Sequence, residues 1–127
     1  RRLRVSNRSS IQESLIGISI PSRGFNALTA SINKDALRTM MSQASGVRRT
    51  GSAALDLAYV AAGRLDAALE LELAPWDMAA GVLLVQEAGG IACDLKGGEN
   101  YFKTRHIIVA NPKLCPLVLK AISATTS

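Results

Sequence analysis

Asp77 follows Pro75 and Trp76 at the head of an apolar segment. A carboxylate in the first turn of a helix stabilises it through the helix dipole by about 0.3–1 kcal/mol, and this is the ordinary reading of the position. The chemical reading is that a carboxylate at the buried mouth of a helix needs a partner, and a hard cation is a common one. Upstream, Arg48-Arg49-Thr50-Gly51-Ser52-Ala53-Ala54 places two permanent positive charges before a helix start with little side-chain bulk. Unpaired N–H groups at such a start suit an anion or a sugar hydroxyl, and arginine suits phosphate. Capping and close helix packing account for the same residues without a ligand. Glu70 and Glu72 alternate with Leu69, Leu71 and Leu73, so both are expected on one solvated strand face.

Residues so far apart in sequence meet only if the elements between them bring them together. Leu15–Ile20, closed by Pro21, reads as a buried strand. Leu28, Ile32, Leu37, Met40 and Met41 predict one amphipathic helix over residues 25–45, ended by Gly46. Val47-Arg48-Arg49 reads as a short extended piece. Ser52 is placed to cap a helix over Ala53–Ala62, with Gly63 as its stop. Leu65–Leu73 alternates as a half-buried strand does. A further helix runs from Pro75 to Glu87 and stops at Gly89-Gly90. Ile91–Leu95 and Ile107–Ala110 read as strands, with a turn over Lys96–Asn100. Asn111-Pro112 opens a last helix through Ile122. Strands alternating with helices predict an α/β layer structure with some parallel strands.

The 127 residues are one domain's worth of chain. Hydrophobic residues at 48% and charged residues at 20% exclude disorder and supply a core. No uncharged apolar run reaches the roughly 18 residues of a membrane span, and no apolar segment follows Arg1-Arg2-Leu3-Arg4. A soluble, cytoplasmic protein with no membrane partner is therefore expected. Residues 1–49 carry a net +7 and residues 50–127 a net −2, which suits a phosphate or nucleic-acid partner, or acidic residues elsewhere in a longer protein. Cys93 and Cys115 lack zinc-site spacing and read as buried, reduced thiols. His106, the sole histidine, reads as a strand-end residue, and no G-x-S-x-G motif supplies a serine nucleophile.

Arg49-Thr50-Gly51-Ser52-Ala53-Ala54, Glu70, Pro75-Trp76-Asp77-Met78-Ala79-Ala80-Gly81 and Glu87-Ala88-Gly89-Gly90 together resemble the inositol monophosphatase family. The W-D-x-A-A-G…E-A-G-G stretch is similar to that family's C-terminal signature, and the likeness extends across residues 1–124. It is nearest to bacterial inositol-1-monophosphatases. It implies the C-terminal half of the layered α/β sugar-phosphatase fold, a mixed sheet flanked by helices. The implied activity is Mg2+-dependent hydrolysis of a small phosphomonoester, foremost inositol 1-phosphate. Asp77 matches a metal ligand that also contacts substrate. Gly51, Ser52 and Ala53 match the lining of the inositol pocket, Glu70 the glutamate that binds a ring hydroxyl, and Arg48 a substrate-contacting arginine of bacterial members. The family's remaining metal ligands lie upstream, in an E-E pair and a D-P-I-D-G-T motif that this sequence lacks. The expectation is thus a C-terminal, substrate-side half without the N-terminal metal-binding half, and inactive by itself. A homodimer is implied as well. Fructose 1,6-bisphosphate, a nucleotide 3′-phosphate and histidinol phosphate stay open as substrates. So does a non-catalytic role in transcription antitermination, with RNA polymerase and Nus factors.

Overall fold

The computed structural model describes residues 3–19 and 34–123. Strand β1 (Leu15–Ser19) pairs in parallel with β2 (Gly46–Arg48) on one side and β3 (Ala67–Glu70) on the other. β3 then pairs antiparallel with β5 (Ile107–Ala110), which pairs antiparallel with β4 (Ile91–Cys93). The result is one five-stranded mixed sheet in the order β2-β1-β3-β5-β4. The expected α/β architecture, a mixed sheet flanked by helices, is present.

Helix α1 (Lys34–Gln43) precedes β2, and α2 (Ala53–Ala61) joins β2 to β3. α3 (Pro75–Glu87) carries the chain from β3 to β4, α4 (Tyr101–Thr104) is one turn before β5, and α5 (Leu114–Ser123) follows β5. α1 and α5 cover one sheet face over Ile16, Ile18, Leu69 and Ile108. α2 and α3 cover the other over Ala68, Ile107 and Val109. Neighbouring strand residues point to opposite faces, yet every residue of β3 and β5 is buried, because helices lie on both sides.

Local chemistry sets the ends of these elements. The Ser52 hydroxyl accepts the Leu55 N–H at 3.2 Å and caps α2. Gly63, at φ +75°, takes the left-handed conformation that ends it. Asn111 caps α5 by accepting the N–H groups of Lys113 and Leu114 at 2.9 and 2.8 Å. Gly17 and Gly81 allow close packing. A Cβ on Gly17 would lie 2.9 Å from Leu65 Cδ1, and one on Gly81 would lie 2.9 Å from Leu57 Cβ where α3 meets α2.

Several boundaries differ from expectation. Of the helix expected over 25–45, residues 25–33 lie outside the described residues; the described part ends at Gln43. Gly46 does not stop that helix but opens β2, opposite Leu15. The strand expected over Leu65–Leu73 is confined to Ala67–Glu70 and buried on both faces. Glu72, at φ +59°, has already left the extended conformation. Ile91–Leu95 is a strand only to Cys93, because Asp94 turns the chain by accepting the N–H groups of Lys96, Gly98 and Asn100.

Candidate active site

β1, β2 and β3 run the same way, so the helices that leave β2 and β3 both start at the carboxyl edge of the sheet. That topology gathers the residues singled out in the sequence. Arg48 is the last residue of β2 and Glu70 the last of β3. Gly51 and Ser52 lead into α2, Ala53 is its first residue, and Asp77 is third in α3.

The turn into α2 is held by Thr50. Its hydroxyl accepts the Ser52 N–H at 3.1 Å and donates to Asp56 Oδ1 at 2.8 Å. The Ser52 amide is thus engaged within the chain, and among the described residues the first N–H groups of α2 without an acceptor are those of Ala53 and Ala54. Gly51 has φ +80° and open space where a side chain would stand, so the turn presents bare backbone. Arg48 is exposed, and among the described residues its guanidinium reaches only the neighbouring Val47 carbonyl, at 3.4 Å. Arg49 is exposed beside it.

The two acids of the site differ in surroundings. Asp77 is half-buried at the start of α3, with no hydrogen-bond partner among the described residues. The apolar helix that Asp77 heads is only partly covered: Trp76 is 74% exposed and Leu83 58%. Glu70 is fully buried, which corrects the expectation of a solvated face. It points to the face covered by α2, where Asp56, also fully buried, lies beside it. Burial first, and then the charge of Asp56, push the Glu70 carboxyl from its usual 4.5 up to about 10. Asp56 was missed in the sequence, although its spacing of four from Val60 puts it on the buried stripe of α2.

His106 stands just before β5, buried, and its Nδ1 accepts the Glu72 N–H at 3.2 Å. That is the strand-end role expected of it. The sulfurs of Cys93 and Cys115 lie 3.5 Å apart in the core as free thiols. Among the described residues, no group of three or more His, Cys, Asp or Glu side chains is placed to hold a metal ion. Asp77 therefore offers a cation one carboxylate, and the other ligands would have to come from outside the described residues. No helix of the described residues is long and apolar enough to cross a membrane.

The sequence is 45% identical over 122 residues to a protein of Pseudomonas aeruginosa named Nus factor SuhB, covering 96% of this chain and 45% of that one. It is 42% identical to the inositol-1-monophosphatase of Mesorhizobium japonicum, covering 100% of this chain and 47% of that protein. The fold superposes with TM-score 0.88 and 40% identity on the crystal structure of the extragenic suppressor protein suhB from Bartonella henselae, over 99% of this chain and 48% of that one. The chain thus spans about half the length of the curated relatives it matches. The sequence profile of the Inositol monophosphatase family matches residues 1–127, and this chain belongs to that family.

Proposed function

We propose that this chain is the substrate-side, C-terminal half of a Mg2+-dependent phosphomonoesterase acting on inositol 1-phosphate. The observation that carries the reading is the convergence of Arg48, the bare start of α2, Glu70 and Asp77 at one sheet edge. A guanidinium and free N–H groups suit phosphoryl oxygens, and a buried acid suits a sugar hydroxyl. Asp77 is the carboxylate this chain gives to the Mg2+ site, and it needs ligands from the rest of the polypeptide. Mg2+, when bound, polarises the phosphoryl group and lowers the pKa of a water. Arg48 and the Gly51–Ala53 turn hold the ester in place, and Glu70 orients the ring through a hydroxyl. The protein acts in the cytoplasm as a homodimer.

The test is phosphate release from inositol 1-phosphate by a polypeptide carrying this chain with the remainder of the fold, with and without Mg2+. Asp77→Asn should abolish turnover. Equal or better turnover of fructose 1,6-bisphosphate, a nucleotide 3′-phosphate or histidinol phosphate would overturn the substrate assignment. A second reading is favoured by the relative named as a Nus factor: association with RNA polymerase. Asp77→Asn separates the two, since it removes hydrolysis and leaves polymerase binding intact if both activities exist.

A further inference from the structure

The sulfurs of Cys93 and Cys115 lie 3.5 Å apart, although the two residues are 22 positions apart in the chain. Cys93 is the last residue of β4 and Cys115 the second of α5, and they are 4% and 2% exposed. Both belong to the core cluster that includes Leu95, Ile108 and Leu114. As thiols they exchange only a weak S–H hydrogen bond. A disulfide needs the sulfurs about 1.5 Å closer, at an S–S separation near 2.05 Å. The sheet can give that much, because β4 lies at its edge and pairs with β5 alone. An unfolded chain must close the intervening loop before the sulfurs meet, whereas the fold has already closed it. By linkage, the fold favours the disulfide by the same factor as the disulfide favours the fold.

We propose that Cys93 and Cys115 are a reversible disulfide pair, which closes when the chain folds in the presence of a small disulfide oxidant such as glutathione disulfide and clasps β4 to α5. One cysteine thiolate attacks the oxidant and releases a glutathione thiolate, leaving a mixed disulfide. The second cysteine thiolate attacks the protein sulfur of that mixed disulfide and releases another glutathione thiolate. Two protein thiols are thus oxidised to one disulfide, the oxidant is reduced to two glutathione thiols, and the two cysteine protons pass to them. Both sulfurs are covered in the folded protein, so exchange runs through the opened chain. A chain folded under reducing conditions keeps two thiols. The clasp spans the Asp94 turn, α4 and β5. It thereby fixes the antiparallel side of the sheet, which adjoins β3.

The experiment uses the complete polypeptide carrying this chain, unfolded in urea and then equilibrated at one fixed ratio of reduced to oxidised glutathione. One sample is diluted to native conditions and the other stays in urea. After acid quenching and proteolysis, mass spectrometry counts the peptides carrying Cys93 and Cys115, either free or joined and two hydrogens lighter. The ratio of joined to free should be about a hundredfold higher under native conditions, within the range that closing a loop of this length gives. The joined form should also unfold at a higher urea concentration than the reduced form, a difference that Cys93→Ala should abolish. An equal or lower ratio under native conditions would overturn the proposal. So would a joined form less stable than the dithiol, or pairing of either cysteine with a sulfur elsewhere in the polypeptide.

Discussion

Replacing Glu70 by glutamine should make the protein more stable at neutral pH, although it alters a fully buried side chain. The reason is proton linkage. Burial and the neighbouring Asp56 raise the Glu70 carboxyl from 4.5 to about 10 in the folded state. A raised acid keeps its proton when folded and releases it when unfolded, so the unfolded state gains with every step in pH above 4.5. At about 1.4 kcal/mol per pH unit, the cost is under about 1 kcal/mol at pH 5 and about 3 kcal/mol at pH 7. Glutamine is nearly isosteric, has no proton to lose, and its amide still donates to Asp56. The variant should therefore gain little at pH 5 and about 2–3 kcal/mol at pH 7. Urea unfolding of both proteins at pH 5, 6, 7 and 8 measures it, because titrating groups away from Glu70 and Asp56 cancel in the difference. Parallel stability curves, or a variant less stable at pH 7, would refute the reasoning.

Gly81→Ala should destabilise by about 1–3 kcal/mol in thermal melts, since its new Cβ would press on Leu57 where α3 crosses α2. Ser52→Ala removes the hydroxyl that caps α2 and should cost about 1 kcal/mol by the same measurement, whereas Ser52→Asp should keep most of it. The thiols of Cys93 and Cys115 are buried in contact, so an aromatic disulfide reagent should titrate neither in the folded protein and both in denaturant. Leu55, Trp76, Leu83 and Leu84 leave apolar surface on α2 and α3, and the isolated chain should self-associate in sedimentation runs. Leu83→Glu with Leu84→Glu should reduce that association without lowering the melting temperature.

The fold was legible where a residue type has a single local consequence. Ser52 before an alanine-rich run, Gly63 after it and Pro75 at a helix start each act within one turn of chain, and the structure has all three in those roles. Legibility failed where tertiary contact decides. Gly46 has the right place to stop a helix, but pairing with Leu15 draws it into the sheet. Asp94 looks like the middle of a strand until its side chain collects three backbone N–H groups and ends it.

The acids show the same division more sharply. Alternation of leucine with glutamate from Leu69 to Leu73 argues for one wet face, and that argument holds only for a sheet covered on one side. Here α2 and α3 cover the face toward which Glu70 points, so the pattern that marks exposure instead carries a carboxyl into the core. Its partner, Asp56, lies fourteen positions earlier on a different element, and nothing local joins them. What joins them is the crossover from β2 through α2 to β3, which runs the helix back over the strand it leads into. The same crossover sets the start of α2 at the carboxyl edge, beside the end of β3. Burial of the acid pair and presentation of the backbone N–H groups thus follow from one topological fact. A change that loosens α2 from the sheet should disturb both together.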